Sequence, residues 1–224
     1  MSSLAIRSFV RRSGRITGSQ QRALTTLWST YCIDINKSID LEALFSRTAE
    51  KHLEIGFGMG EALWQMAQAH PQHDYLGIEV HKPGIGKLLN ALEVHQITNV
   101  RIICADALEV LQYYLPTASL DAVYIFFPDP WPKLRHHKRR LIQPPVVELL
   151  AHRVKAHGLL HLATDWQPYA EHMLTVLNAS PYWLNQASEG GFLAARPPMR
   201  PLTQFEQRGQ HLGHHIWDLC YRRC

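Results

Sequence analysis

Short runs rich in apolar and β-branched residues recur along the middle of the chain, and most are followed by a stretch with helical spacing. Residues 52–55, 75–80, 100–104, 120–127 and 158–164 read as strands. Residues 61–69, a segment around 87–95, and residues 107–114 and 144–156 carry the periodicity of helices. Strands alternating with helices predict βαβ units and an α/β fold with a mostly parallel, doubly wound sheet. Near the end the pattern changes. Residues 182–184 and 215–221 are two further strand candidates, separated by a Gly/Pro/Arg-rich loop over residues 190–213. With no strong helix between them, they predict an antiparallel hairpin that closes the sheet. Residues 34–49 read as a mixed connector of helix and loop.

Composition narrows the class. The chain has 224 residues, 46% hydrophobic and 19% charged, which suits one globular domain with a full core. No apolar run approaches a membrane span, and no secretory signal is visible. Cys32, Cys104, Cys220 and Cys224 lack any C-x-x-C spacing, favouring reduced thiols in a cytoplasmic protein over disulfides or a zinc site. The formal charge is only +4, so its distribution matters more than its total. The first thirty residues hold Arg7, Arg11, Arg12, Arg15 and Arg22 and no acidic residue. That stretch fits an RNA-contacting arm, an organellar transit peptide or a solvated tail. The organisation expected is a basic arm over residues 1–33 and a single domain over residues 34–224.

The most specific local feature is Phe126-Phe127-Pro128-Asp129-Pro130-Trp131-Pro132-Lys133, followed by Arg135, His136, His137, Lys138, Arg139 and Arg140. Prolines on both sides of Asp129 stiffen a turn at a strand end, where open α/β sheets place their ligands. Cations directly beyond it suit a polyanion lying across the mouth of a site.

A second constellation supplies the ligand. Gly56-x-Gly58-x-Gly60 lies between a strand and a helix, where a backbone can approach a nucleotide closely. It is not G-x-G-x-x-G, and no Lys-Ser/Thr follows, so it is no Walker loop. Three carboxylates stand at successive strand ends. Glu79, about 20 residues past the loop, suits ribose hydroxyls, and Asp106 suits an adenine amine. Glu54 would repel a pyrophosphate but suits a cationic amino-acid moiety. The cofactor that meets these demands is S-adenosylmethionine. Each acid alone also reads as a helix cap or a solvated strand end.

These segments closely resemble the bacterial tRNA (guanine-N7)-methyltransferases. The likeness is carried by Leu53 to Gly60, by Gly77-Ile78-Glu79-Val80-His81 with Pro83-Gly84-Ile85-Gly86, and by Phe127 to Arg140. It extends to Ala163-Thr164-Asp165-Trp166, to Thr203-Gln204-Phe205-Glu206-Gln207-Arg208-Gly209 and to the arm from Arg7 to Arg15. It covers nearly the whole chain. The resemblance implies a class I, Rossmann-like methyltransferase fold and methylation of N7 of the variable-loop guanosine, position 46, of tRNA. It implies cofactor contacts from Glu54, Glu79, Asp106 and Asp129, with Gly56, Gly58 and Gly60 forming the loop. It assigns Lys133, Asp165, Thr203, Gln204, Phe205 and Glu206 to substrate and residues 135–140 to RNA, and it favours the RNA-contacting reading of the arm. Gln204 stands where the family usually has Lys, so one cationic contact is expected to be missing.

Guanine N7 carries an exposed lone pair, so Asp129 is expected to orient the base and face its developing positive charge rather than act as a strong base. Trp131 reads equally as a base-stacking ring and as packing beside the prolines. His211, His214 and His215 have no completing ligand set, and no metal is expected. The competing readings are a methyltransferase for another acceptor, a non-catalytic RNA-binding module and a nicotinamide-dependent oxidoreductase. The first leaves the basic segments unexplained. The second leaves the loop acids unused, and the third conflicts with Glu54.

Overall fold

The computed structural model describes residues 14–224. Helices α1 (Gly18–Thr26), α2 (Trp28–Tyr31) and α3 (Leu41–Phe45) precede strand β1 (Lys51–Ile55). Helix α4 (Glu61–Ala69), strand β2 (Asp74–Ile78), helix α5 (Lys82–Val94), strand β3 (Val100–Ile103), helix α6 (Ala107–Tyr113) and strand β4 (Leu120–Phe126) follow. The second half holds α7 (Pro144–Arg153), β5 (Val154–Thr164), α8 (Gln167–Asn178), β6 (Trp183–Asn185), α9 (Gln204–His211) and β7 (Trp217–Arg223).

The seven strands form one sheet in the order β3-β2-β1-β4-β5-β7-β6. The first five pair in parallel, while β7 runs antiparallel to both β5 and β6. The predicted hairpin is present, with β7 inserted between β5 and β6. Apolar side chains fill both faces, as a doubly wound sheet requires. Leu53 and Ile55 join one core with residues of α6, α7 and α8, and Phe57 and Tyr75 join the other with residues of α1, α4 and α5. The strand order turns back between β1 and β4, the switch point at which such sheets bind ligands.

Three elements differ from the sequence expectation. Helix α5 begins at Lys82, earlier than the expected segment around residues 87–95. Gly84 is required by packing: a Cβ there would lie 2.0 Å from the Gly58 carbonyl oxygen, so the helix rests directly on the glycine loop. Helix α9 lies inside the expected loop over residues 190–213, capped by Thr203 Oγ1, which accepts from Glu206 N at 3.3 Å. Helix α7 stops at Arg153, and β5 starts at once. Part of the basic N-terminal stretch is ordinary helix. Thr17 forms a capping box with Gln20, α1 packs on α5, and Arg22 pairs with Glu93 at 2.8 Å. Arg7, Arg11 and Arg12 lie outside the described residues.

Candidate active site

The glycine loop turns from β1 into α4 with Gly56, Gly58 and Gly60 at φ of 70°, 57° and 75°. Side chains resist that left-handed region, and glycine enters it freely. The loop is held in shape by Glu79. Its Oε2 accepts from Gly58 N at 2.9 Å, and its Oε1 accepts from Val80 N at 2.7 Å and His81 N at 3.0 Å. Asp106 caps α6, accepting from Leu108 N at 2.9 Å, and its neighbours Ala105 and Ala107 line the cavity beside it.

Glu54 is different. It sits on β1 at 3% exposure, and its Oε2 is buried with no hydrogen-bond partner. Burial, reinforced by the charge of Glu79, pushes this carboxyl up to about 8. An acid held this way is poised for a cation that the protein itself does not supply.

Two cavities of about 540 and 390 Å³ meet at the loop and share Gly56, Gly58, Met59, Phe127 and Phe205. Glu79 and Asp129 line the larger, and Glu54, Thr203 and Gln204 line the smaller. The rings of Phe127 and Phe205, 5.0 Å apart, form the wall between them. Asp129 is exposed on the turn after β4, as the two prolines predict. The turn is bracketed by Phe127 and Trp131 at φ of 52° and 46°. For bulky residues this conformation costs roughly 1–3 kcal/mol each and recurs at functional sites.

The basic cluster forms a short 3₁₀ helix, Leu134–Arg139, immediately beyond this turn. Lys133, Arg135 and Lys138 are exposed, and His136, His137 and Arg139 are half-buried. The Arg139 guanidinium lies 4.4 Å from the centre of the Trp131 ring, and His136 meets that ring edge-on. Trp131 therefore folds the cluster back onto the turn. Arg140 departs from its expected place among the RNA contacts. It is 3% exposed, donates to Pro130 O at 2.9 Å and covers Tyr169, so it braces the Asp129 turn from beneath.

The assigned substrate segment is similarly divided. Gln204 and Phe205 are exposed, and Gln204 N donates to Glu61 Oε2 at 3.0 Å. Asp165 is half-buried, 3.4 Å from His214 Nδ1. Glu206 is 1% exposed and lines neither cavity, with both carboxylate oxygens taken by Arg200. The same guanidinium donates to Asp218 on β7 at 2.7 and 2.8 Å, and Asp218 also meets His161 Nε2 at 2.8 Å. Burial opposes charge here, yet the hydrogen bonds outweigh it, holding Arg200 above and Asp218 below their ordinary ranges. Arg200 thus ties the start of α9 to the sheet. Nothing in the sequence separates it from the other arginines of a Pro-rich loop.

A β3-β2-β1-β4-β5-β7-β6 sheet with a glycine loop and a carboxylate at the end of each of the first strands defines a class I methyltransferase. Solved structures agree on the fold. The 16S rRNA methyltransferase KamB matches with a TM-score of 0.59 at 13% identity, covering 85% of this chain and 96% of its own. A family model described as "Putative methyltransferase" matches residues 48–219. The chain is 55% identical over 219 residues to the tRNA (guanine-N(7)-)-methyltransferase of Nitrosospira multiformis (strain ATCC 25196 / NCIMB 11849 / C 71), covering 97% of this chain and 94% of that protein. It is 51% identical to the same enzyme of Pseudomonas aeruginosa (strain UCBPP-PA14), covering 97% and 89%. The chain belongs to the tRNA (guanine-N7)-methyltransferase family, whose methyl donor is S-adenosylmethionine.

Proposed function

We propose that the chain methylates N7 of the variable-loop guanosine, position 46, of tRNA, and that Asp129 is its catalytic residue. The observation that carries this reading is the placement of Asp129. It stands exposed over a cavity that reaches the glycine loop, with the cations of residues 133–139 directly beyond it.

S-adenosylmethionine supplies a methyl group on a sulfonium together with an amino-acid ammonium. The partnerless Glu54 carboxylate fits that ammonium, and Glu79, Asp106 and the open backbone of the glycine loop suit the nucleoside. The chain's own contribution is positioning. N7 offers its lone pair without deprotonation, so alignment supplies most of the rate. Asp129 accepts from the N1–H and amino group of guanine and opposes the positive charge that grows on the purine. Lys133, Arg135, Lys138 and Arg139 take phosphates, and Thr203, Gln204 and Phe205 form the opposite lip.

The test is transfer of labelled methyl to unmodified tRNA with the product nucleoside identified. The expected product is 7-methylguanosine, absent when guanosine 46 is replaced. Asp129→Asn lowers kcat by about 100-fold or more, the range for loss of one electrostatic group. Methylation elsewhere would overturn the target, and near-normal turnover by Asp129→Asn would overturn its role.

A further inference from the structure

The other end of the sheet holds a second cluster. Glu50 directly precedes β1, His52 lies on β1, and His73 directly precedes β2, so parallel pairing brings the three together where the strands begin. His52 Nε2 and His73 Nε2 lie 3.2 and 3.5 Å from the same oxygen, Glu50 Oε2. One ligand atom from each residue falls within 4.8 Å of the others. A four-coordinate zinc ion with bonds of about 2.0–2.1 Å sets its donors about 3.3–3.4 Å apart. The 3.2 and 3.5 Å separations bracket that spacing.

The surroundings are those of a ligand set. The second nitrogen of His52, Nδ1, lies 3.0 Å from the Tyr124 hydroxyl, an outer partner that fixes the ring. The His52 and His73 rings lie 4.5 Å apart, and the His70 ring stacks on His73 at 5.6 Å. His52 is buried on a strand paired on both sides, while the Glu50 side chain is 59% exposed and faces solvent. Two buried polar atoms of the same cluster of rings, His73 Nδ1 and Tyr75 Oη, have no partner. Polar groups left unsatisfied in a protein interior mark a missing water or ligand.

We propose that Glu50, His52 and His73 form a zinc site that staples β1 to β2, separate from the methyl-transfer groove. Two imidazoles and one carboxylate suit Zn²⁺ over Mg²⁺ or Ca²⁺, which prefer oxygen donors. The histidines of the C-terminal segment form no comparable group among the described residues, where His214 faces Asp165 and His215 packs on Trp217.

The experiment uses the full chain, stripped with a chelator, titrated with ZnCl₂ by calorimetry and melted at each zinc concentration. The expected result is one ion per chain and a melting temperature that rises with zinc. Glu50→Gln and His73→Gln should each weaken binding by about 100-fold, the upper end of what even loss of an outer-shell partner costs. Both should keep methyl transfer in the absence of zinc. His214→Gln should bind as the parent does. Glu50 is exposed, so its substitution leaves a folded protein even if changes at His52 do not. Absence of saturable binding, or binding lost in His214→Gln but kept in Glu50→Gln and His73→Gln, would overturn the site.

Discussion

Replacing Glu54 by Gln separates the stability of the fold from the function of the site. The buried Glu54 carboxyl stands at about 8 instead of 4.5, chiefly through burial and then through the charge of Glu79. Its folded value is raised, so its contribution to stability is fully present below the unfolded value and is lost as pH rises through the folded one. Each unit is about 1.4 kcal/mol, so the wild type forfeits roughly 3 kcal/mol at neutral pH and roughly 5 kcal/mol above pH 8. Glu54→Gln removes that loss. Its stability relative to wild type should therefore climb from near zero at pH 4.5 to several kcal/mol at pH 8.5, measured by urea unfolding across the range. The same variant should lose most of its affinity for S-adenosylhomocysteine, which carries the same ammonium group. In the wild type that ammonium must draw the carboxyl into its ionised form, so binding near neutral pH should release a proton. Calorimetry in two buffers of different ionisation enthalpy reads that proton directly. A pH-independent stability difference together with no proton release would refute the reasoning.

Other substitutions test the frame around the groove. Arg200→Met strands two buried carboxylates and should cost about 3–5 kcal/mol in urea unfolding, and Arg200→Lys less. A loss under 1 kcal/mol for Arg200→Met would mean that Glu206 and Asp218 find other partners. Gly84→Ala forces a Cβ against the Gly58 carbonyl and should cost about 1–3 kcal/mol along with weaker cofactor binding; unchanged binding by calorimetry would show that the loop yields freely. Lys138→Gln should flatten the slope of log affinity for tRNA against log salt by about 0.7–0.9 for each phosphate it no longer neutralises. Arg140→Gln should leave that slope unchanged and lower the melting temperature, because its charge is buried under the turn.

The fold was legible because strands buried on both faces appear as short apolar runs, and glycine or proline marks the turns after β1 and β4. Glu54, Glu79 and Asp129 stood out as candidates because an acid at a strand end beside glycines, or between two prolines, is unusual in either an ordinary core or an ordinary loop, and the structure brings all three to the adjoining cavities. The misses have identifiable causes. Helix α5 was expected only from around Lys87, and its earlier start takes in Gly84 and Gly86, both set by close contact with other segments rather than by local conformation. Helix α9 was hidden by its Gly/Pro-rich surroundings, yet Thr203-x-x-Glu206 is a capping-box signature that marks its start. Burial of Arg140, Arg200 and Glu206 leaves no trace in sequence, since a charged residue buried against a partner is spelled like one facing water. The convergence of Glu50, His52 and His73 depends on which strands pair, and no spacing along the chain reveals it.

The position of β7 has a consequence for the order in which the protein assembles. The segment that forms the lip of the groove, Thr203 to Phe205, leaves the ribosome before the strand that anchors it. Asp218 reaches Arg200 only once β7 has threaded between β5 and β6, pairing His161 with Cys220 across a long stretch of intervening chain. Such non-local pairing forms late. A chain interrupted before β7 would carry the glycine loop, Glu54 and Asp129 in place but lack a fixed lip. The far wall of both cavities would then be the last part of the site to be fixed, after the glycine loop and the Asp129 turn, because Phe205 lines both and Arg200, Thr203 and Gln204 line the smaller.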